Sequence, residues 1–349
     1  MGTTITEITE FYNQLEAIPF RPRFLPGAVA TSIWGLPDVP SMFFDTSPRT
    51  VGKLYRYPPP FVPVKFTSDD GTPLAGLMAL QPDQPRPGVV IVHGLFASKN
   101  ALYVKKPALK AYREWGFNVI VPDLRVFGES RYLSGAQSTG SWREGQDVLA
   151  AAEILADVIN APPAVMGFSM GAASVLQAAA QARAGQIAGT LAVSPYSDLR
   201  RQVAYISRRP KPWEGYSSVY PVFSLLLRRK RKDMGLPKGI DTFAALLEQV
   251  SALYYHMTSH ELYQLGSPGQ VVKRIQVPTL IIHGKDDPII PVVEAEELAR
   301  NAVNNPWVKT MIMPKGGHCA FDIVEPSWTW SVYQRFLLFV TGYRTKAQS

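Results

Sequence analysis

The pentapeptide Gly167-Phe168-Ser169-Met170-Gly171 constrains the fold more than any other part of the sequence. It follows a short apolar stretch and precedes an alanine-rich run, Ala172 to Ala182, that predicts a helix. A G-x-S-x-G motif between a strand and a helix is typical of a sharp turn that exposes the serine hydroxyl above a sheet. Glycines are expected on both sides of Ser169 because a Cβ there would collide with the neighbouring strand or helix. The alternative is a glycine-flanked turn with a solvated serine, and the flanking elements favour the first interpretation.

Apolar runs alternate with helical patterns on both sides of this motif. Val89–Val92 is a continuous apolar run, typical of a strand buried on both faces. Further strands are predicted at Phe61–Thr67, Leu74–Leu80, Phe117–Val121, Ala164–Met166, Ile187–Val193, Thr279–Ile282 and Trp307–Met313. Further helices are predicted at Ala101–Trp115, Trp142–Ile159, Pro291–Asn301 and Trp328–Val340. The first two strands form a hairpin across a tight turn, and the alternation that follows predicts an α/β fold with a mostly parallel central sheet flanked by helices.

The alternation divides the chain into three predicted regions. Residues 1–60 form an N-terminal proline-rich arm, in which Ile5 to Leu15 has helical spacing and the later prolines predict an extended segment that wraps the domain. Residues 61–198 and 276–349 form the α/β core. Residues 199–275 interrupt the alternation with a helical segment after the sixth strand, which we call the cap. It is expected to lie over the carboxyl ends of the strands, where open α/β sheets bind ligands.

The net charge of +8 is concentrated in the cap. Residues 199–275 hold 13 Lys and Arg against 5 Asp and Glu, a surplus of 8, so the remainder of the chain is neutral. Within the cap, the apolar stretch Val219–Leu227 runs directly into the basic cluster Arg228–Lys232. Residues 219–232 therefore suit a peripheral contact with an anionic membrane surface or a substrate with an anionic head group. A solvated helix end is the plain alternative, and no nucleic-acid-binding motif is present, so no nucleic acid is expected.

The number of cysteines and the hydropathy pattern indicate the cellular compartment. The single cysteine, Cys319, excludes an internal disulfide framework and a Cys-rich metal site. The N-terminus lacks a basic segment followed by a long apolar run, so no secretory signal is expected. No stretch approaches the ~20 apolar residues of a transmembrane helix. The sequence therefore predicts a cytoplasmic protein, with a peripheral position at a membrane surface as the alternative.

A serine hydroxyl near neutral pH needs a base to act as a nucleophile. The chain has five histidines, and His318 follows the last predicted strand in a Gly316-Gly317-His318 loop that can reach Ser169. His93 and His283 end apolar strands and are expected to bond loop backbone. His256 and His260 lie in the cap, where a structural or surface role is expected. His318 is therefore the predicted base.

The base needs an acid that fixes its tautomer. Asp286 and Asp287 lie in the loop after the Thr279–Ile282 strand, upstream of His318. Asp287 is preferred, Asp286 is its neighbouring competitor, and Asp198 is a more distant alternative. Either loop carboxylate could instead cap the next helix or form an Asx turn.

A developing oxyanion needs preorganised N–H donors. The amide of Met170 follows Ser169 at a helix N-terminus and is a natural first donor. The second donor is expected from the loop after Val92, at Leu95 in His93-Gly94-Leu95-Phe96.

These motifs resemble those of α/β-hydrolase-fold proteins in order and spacing. The matching segments are the His93-Gly94-Leu95 loop, the Gly167–Gly171 turn, His283–Pro288 and Gly316–His318, and the resemblance covers roughly residues 60–342. It implies Ser169 as nucleophile, Asp287 as acid and His318 as base, with the Leu95 and Met170 amides as the oxyanion hole. It implies no metal and no organic cofactor.

A looser resemblance points to the esterase branch that includes embryogenesis-associated hydrolases. It rests on Tyr103–Lys106, Asp123–Arg125, Gly128–Ser130 and the long basic cap, and the chain departs from it at Val126-Phe127 and in its N-terminal arm. The expected activity is a serine hydrolase that cleaves carboxylic esters, including acyl lipids, through an acyl-enzyme. Transfer of the acyl group to an alcohol or thiol and thioester cleavage by the same residues are alternatives. So is a protein that docks on a membrane or partner with little catalysis.

Overall fold

A computed structural model describes residues 4–39, 56–233 and 235–343. Eight strands form one sheet. They are β1 (Val62–Thr67), β2 (Pro73–Ala79), β3 (Gly88–Val92), β4 (Asn118–Asp123), β5 (Ala164–Phe168), β6 (Gly189–Val193), β7 (Thr279–Gly284) and β8 (Val308–Met313).

The strand order is β1-β2-β4-β3-β5-β6-β7-β8. β2 pairs antiparallel with both β1 and β4, and the remaining neighbours pair in parallel. The mostly parallel sheet and the leading hairpin are thus confirmed. Every residue of β3 and of β5 is buried, which explains why these strands are continuous apolar runs in the sequence.

The helices alternate with the strands in the core. They are α1 (Ile5–Glu16), α2 (Gly27–Gly35), α3 (Leu102–Arg113), α4 (Trp142–Ile159), α5 (Met170–Gln181), α6 (Leu199–Ser207), α7 (Tyr220–Asp233), α8 (Phe243–Leu246), α9 (Ala252–Tyr254), α10 (Ser259–Leu265), α11 (Val292–Asn301), α12 (Phe321–Val324) and α13 (Pro326–Val340).

Apolar cores lie on both faces of the sheet. Val90 and Val92 contribute to the core that contains Leu155 of α4 and Leu176 of α5. Val89, from the same strand, contributes to the opposite core, together with side chains of α3 and α13. Successive strand residues point to opposite faces, so a helix layer covers each face and the α/β-hydrolase architecture predicted from the sequence is confirmed.

Helices α6 to α10 lie between β6 and β7, after the sixth strand as expected. Hydrogen bonds attach this segment to the core. The Tyr255 hydroxyl donates to the Gln137 carbonyl at 2.6 Å and accepts from Arg125 Nη1 at 3.1 Å. In α6, Gln202 Nε2 donates to the carbonyl of Ile289 at 3.0 Å. These contacts hold the helical segment over the loops that follow β4 and β7.

The N-terminal arm differs from the expected extended segment. The helix predicted near Ile5–Leu15 is present as α1, but Gly27–Gly35 forms a second helix, α2. Its nine residues contain no proline, and Pro26 precedes the first turn, a position that tolerates the missing N–H. The prolines therefore lie outside this helix, and the stretch between them is helical and not extended. Residues 40–55 of the predicted arm lie outside the described residues.

Candidate active site

Ser169 occupies the sharp turn between β5 and α5. Its backbone angles are φ 56° and ψ −122°, a conformation that L-residues adopt rarely and that the surroundings must enforce. The Ser169 N–H donates to the Val193 carbonyl at 2.9 Å, and the Ser169 carbonyl accepts from Ala173 at 3.1 Å. The strand, the turn and the helix of the sequence prediction are all present.

The two glycines of the pentapeptide lie where side chains do not fit. A Cβ on Gly167 would come within 2.2 Å of the Gly171 carbonyl oxygen, and a Cβ on Gly171 within 2.3 Å of the His93 carbonyl oxygen. Real Cβ atoms do not approach backbone oxygens so closely. The motif is therefore a packing requirement of this turn, as the sequence indicated.

His318 and Asp287 form a buried pair beside this turn. His318 Nδ1 lies 2.9 Å from Asp287 Oδ2, and the residues are 3% and 8% exposed. The other carboxylate oxygen of Asp287 accepts the N–H groups of Ile289 at 2.8 Å and Ile290 at 2.9 Å. Asp287 is thus fixed by its own loop, and the bond at Nδ1 leaves Nε2 as the ring nitrogen available to exchange a proton.

The pKa of His318 reflects two opposing influences. Burial is the largest single influence and lowers it, because a charged imidazolium is poorly solvated there, whereas the Asp287 carboxylate and, after it, the neighbouring Cys319 favour the charged form. The net effect holds the pKa of His318 well above its ordinary value. This histidine binds a proton more tightly than a free imidazole does.

The competing carboxylates have other partners. Asp286 Oδ1 accepts the Gly317 N–H at 2.9 Å, and its Oδ2 lies 3.6 Å from the ammonium of Lys315. Asp198 is the N-cap of α6 and accepts the Arg201 N–H at 2.8 Å. Of the three aspartates considered from the sequence, Asp287 is the one that the structure places against the His318 ring.

The remaining histidines have other hydrogen-bond partners or are exposed, although His283 Nε2 also lies 4.0 Å from Asp287 Oδ2. The His93 ring contacts the Gly94 carbonyl at 2.8 Å and accepts the Leu124 N–H at 3.1 Å, so it organises two loops at the strand ends. His283 Nε2 lies 3.1 Å from the Ile290 carbonyl, and burial lowers its pKa. His256 and His260 are exposed on the helical segment between β6 and β7.

Leu95 and Met170 line the cavity into which Ser169 and His318 open. Among the described residues, no backbone acceptor receives the N–H of either one. The loop that carries Leu95 is anchored by the Gly94 N–H, which donates to the Tyr103 hydroxyl at 2.8 Å. Two candidate donors therefore line the same cavity as Ser169, one on the loop after β3 and one at the first residue of α5.

The cavity has a volume of about 190 Å³ and mainly apolar walls. The helical segment contributes much of it, including Val222, Phe223 and Leu226 of α7. Lys230, on the same face of that helix, is buried and also lines the cavity, with its ammonium 6.0 Å from the Phe127 ring centre. The apolar stretch and the basic cluster of the sequence are thus parts of one helix, and only one cation of the cluster lines the cavity.

Sequence reasoning missed the contribution of the N-terminal arm. Thr31 and Trp34 of α2 line the same cavity, and the Thr31 hydroxyl accepts the backbone N–H of His318 at 2.7 Å. The signal available in the sequence was the proline-free stretch Gly27–Gly35, which contains apolar and aromatic residues between two prolines. Nothing in a single sequence pairs residues 287 positions apart, so this contact needed the structure.

In the part of the chain that the structure describes, no group of three or more His, Cys, Asp or Glu side chains is arranged to hold a metal ion. No described helix combines the length and the apolar character that crossing a membrane requires.

Comparison with known proteins extends these observations. A model of the alpha/beta hydrolase family matches residues 89–326, more than half of the chain. The Escherichia coli (strain K12) protein named "Putative esterase YheT" is 23% identical over 345 residues, which cover 91% of this chain and 90% of that protein. The Synechocystis protein named "Putative esterase slr0264" is 22% identical over 356 residues, covering 90% and 93%. The solved structure of the Pyrococcus furiosus esterase Pf2001 matches with a TM-score of 0.58 at 23% identity, covering 85% of this chain and 98% of that one, and shares the fold.

Proposed function

The chain belongs to the alpha/beta hydrolase family, and from this premise we propose that it is a serine hydrolase that cleaves carboxylic esters through an acyl-enzyme on Ser169. The observation that carries the proposal is the His318–Asp287 pair, joined at 2.9 Å in a cavity that Ser169 also lines. A nucleophile, a base and an acid that orients the base are the groups that acyl transfer to a serine requires.

In the first step, Ser169 Oγ attacks the ester carbonyl carbon while His318 Nε2 takes the hydroxyl proton. Asp287 accepts the Nδ1–H bond throughout and stabilises the imidazolium that forms. The carbonyl oxygen becomes an oxyanion, which the N–H groups of Leu95 and Met170 stabilise. The carbon–oxygen bond to the alcohol then breaks, and His318 returns its proton to the departing alkoxide.

The second step repeats this chemistry with water. His318 takes a proton from a water molecule, whose oxygen attacks the acyl carbon. The bond to Ser169 Oγ breaks, the proton passes to the serine, and the carboxylic acid leaves. Asp287 keeps its charge through both steps, and the same residues serve in each of them.

The cavity supports an ester with an apolar acyl chain. Side chains of α7, among them Phe223 and Leu226, form part of its wall, and apolar surface of this kind favours a hydrocarbon chain over a polar substituent. The relatives from Escherichia coli and Synechocystis carry names that describe them as esterases, which supports an ester and not an amide as the bond cleaved.

We further propose that the exposed part of residues 219–232 makes a peripheral contact with an anionic membrane surface. Arg228, Arg229 and Lys232 are exposed, whereas Val222 and Leu226 line the cavity. The contact is therefore electrostatic, made by cations near the surface and not by insertion of the apolar face.

Labelling with a fluorophosphonate probe tests the proposed function. The wild type is expected to gain one covalent adduct on Ser169, located by mass spectrometry, and to hydrolyse p-nitrophenyl esters. Ser169→Ala should lose both the adduct and nearly all turnover, because residues of such a site act as a unit.

Ser174→Ala is the matched control. Ser174 lies on α5, five residues after Ser169, and its hydroxyl donates to the Met170 carbonyl at 2.9 Å. This variant should keep adduct formation and turnover. An adduct on another residue, or substantial turnover by folded Ser169→Ala, would contradict the proposal.

A further inference from the structure

The loop that carries His318 is held from outside the core by α2. The His318 N–H donates to the Thr31 hydroxyl at 2.7 Å, and both residues are 3% exposed. A buried N–H that loses its acceptor keeps the cost of its lost hydration. The hydroxyl of Thr31 therefore helps to fix the position of this loop.

The backbones of α2 and the histidine loop approach each other very closely. A Cβ on Gly317 would lie 2.7 Å from the Gly27 carbonyl oxygen and 2.7 Å from Thr31 Oγ1. A Cβ on Gly27 would lie 2.0 Å from the Asp286 carbonyl oxygen. Gly317 also has φ +53°, a conformation that favours glycine. Helix α2 therefore fits closely against the histidine loop at Gly317 and against the loop after β7 at Gly27.

Trp34 makes a second contact from the same helix. Its ring meets the His318 ring edge-on, with centres 6.0 Å apart and planes at 85°. It also packs on Tyr103, with ring centres 4.4 Å apart, and the Tyr103 hydroxyl holds the Gly94 N–H of the loop that carries Leu95. One helix thus contacts both the histidine loop and the support of the predicted oxyanion loop.

We infer that α2 is part of the active site, with Thr31 as a positioning residue that holds His318 against Asp287. This inference rests on the proposed function, in which His318 is the base. Helix α2 lies before residues 89–326, the part of the chain that the family model matches, so the inference concerns a feature of this chain beyond the matched region. Thr31 acts through the backbone of His318, whose N–H its hydroxyl accepts.

Loss of the Thr31 hydroxyl has two expected consequences. The His318 N–H must find another acceptor, which moves the loop and lowers the fraction of molecules in which His318 is aligned with Ser169, so kcat falls. The same movement weakens the pairing with Asp287, the largest of the interactions that raise the pKa of His318. The rise of activity with pH as His318 loses its proton, which is the acidic limb of the pH profile, should therefore move to lower pH.

The experiment compares Thr31→Val, Thr31→Ser and the wild type on a p-nitrophenyl ester. Thr31→Val keeps the shape but removes the acceptor, and kcat is expected to fall about 10-fold or more, with a smaller change in KM and a limb displaced to lower pH. Thr31→Ser keeps the hydroxyl and should retain most of kcat and the wild-type limb. Thr9→Val is the matched control, because the Thr9 hydroxyl donates only within α1, to the Ile5 carbonyl at 2.8 Å.

An unchanged limb together with a kcat within twofold of wild type in folded Thr31→Val would overturn the inference. Equal losses in Thr31→Val and Thr31→Ser would also overturn it, because the hydroxyl would then not be the cause. If Thr31→Val fails to fold, Thr31→Ala carries the same two readouts. Fluorophosphonate labelling of the wild type separates the two proposals: absence of an adduct on Ser169 rejects the proposed function, whereas a normal adduct with an insensitive Thr31→Val rejects only the role of α2.

Discussion

In the proposed mechanism, the ionisation of His318 is the residue-scale property that most directly sets activity. Burial lowers its pKa, but Asp287 and Cys319 together raise it by more, so the pKa lies well above the ordinary value of about 6.5. A histidine with an unperturbed pKa would give an activity limb near that ordinary value. The structure raises that value, because the carboxylate 2.9 Å from Nδ1 stabilises the protonated form, which cannot act as the base of the proposed mechanism.

We therefore predict that kcat/KM rises with pH through an apparent pKa above about 6.5, since the base must be neutral to accept the proton of Ser169. In Asp287→Asn the limb should move down in pH, and kcat should fall by about 100-fold or more. The measurement is kcat/KM from pH 5 to pH 9 with a substrate that does not ionise. A wild-type limb at or below pH 6.5 would contradict the role of Asp287.

Residue identity was predictable from the sequence only up to neighbouring alternatives. Ser169 and His318 were singled out by the glycines around them and by their positions after strands. Asp286 and Asp287 could not be separated by spacing, because both carboxylates follow the same strand. The structure separates them through hydrogen bonds, one to the Gly317 backbone and one to the His318 ring.

At the scale of elements, the buried carboxylate of Asp38 joins the N-terminal arm to α3. Asp38, in the 3₁₀ turn that follows α2, accepts the N–H groups of Leu102 and Tyr103 at the start of α3. Burial raises the pKa of Asp38 to about 7, and the two backbone hydrogen bonds lower it by less. The folded protein therefore holds this proton to a higher pH than the unfolded chain does.

This difference in the pKa of Asp38 between the folded and unfolded states determines how the unfolding free energy changes with pH. An aspartate whose folded pKa is raised contributes stability at low pH and loses it as pH rises through about 4 to about 7. Relative to Asp38→Asn, the wild type should lose about 1–3 kcal/mol of unfolding free energy between pH 5 and pH 8. Urea unfolding of both proteins at the two pH values measures this, with the exposed Asp157→Asn as control. A difference that stays constant or grows in favour of the wild type would refute the prediction.

Helix α7 offers a matched pair of leucines for testing how the cavity selects substrates. Leu226 is 2% exposed and lines the cavity, whereas the adjacent Leu225 is 53% exposed and does not line it. Leu226→Ala should shift the preferred p-nitrophenyl ester towards longer acyl chains, because the removed atoms leave space along the wall. It should also cost about 2–5 kcal/mol of stability, as buried leucines do.

Leu225→Ala should leave both the chain-length preference and most of the stability unchanged. A chain-length panel of kcat/KM values, with thermal unfolding of each variant, provides the comparison. A preference that moves equally in both variants would mean that α7 does not form the substrate wall.

At the scale of the whole molecule, the sequence predicted the sheet and its helices well, because the hydrophobic pattern of each strand and helix indicates which of its faces are buried. Strands buried on both faces are apolar throughout, and amphipathic helices show one apolar stripe. The packing of distant segments has no such local signal. The sequence therefore predicted a helix for α1 but not the docking of α2 on the histidine loop. It identified Val219–Leu227 as apolar without indicating that this face lines a cavity.

The distribution of charge is also a property of the whole molecule. Residues 199–275 carry a surplus of 8 positive charges and the rest of the chain is neutral, so the net charge of the molecule lies in this segment. Such a surface attracts anionic surfaces through long-range fields that salt screens within about 10 Å at 0.1 M ionic strength. The cavity lies under the same segment, so binding of an anionic vesicle would bring the cavity close to the lipid.

We predict that the protein co-sediments with vesicles that contain anionic lipid and not with neutral phosphatidylcholine vesicles, and that added salt weakens the binding. The double variant Arg228→Gln/Lys232→Gln removes two exposed cations and should weaken binding about 30-fold, at about 1 kcal/mol for each charge near the surface. Its turnover of a soluble short-chain ester should stay at the wild-type level, because neither residue lines the cavity. Binding that is equal for neutral and anionic vesicles, or unchanged in the double variant, would show that the basic surface does not dock on membranes, and the positive charge would then need another explanation.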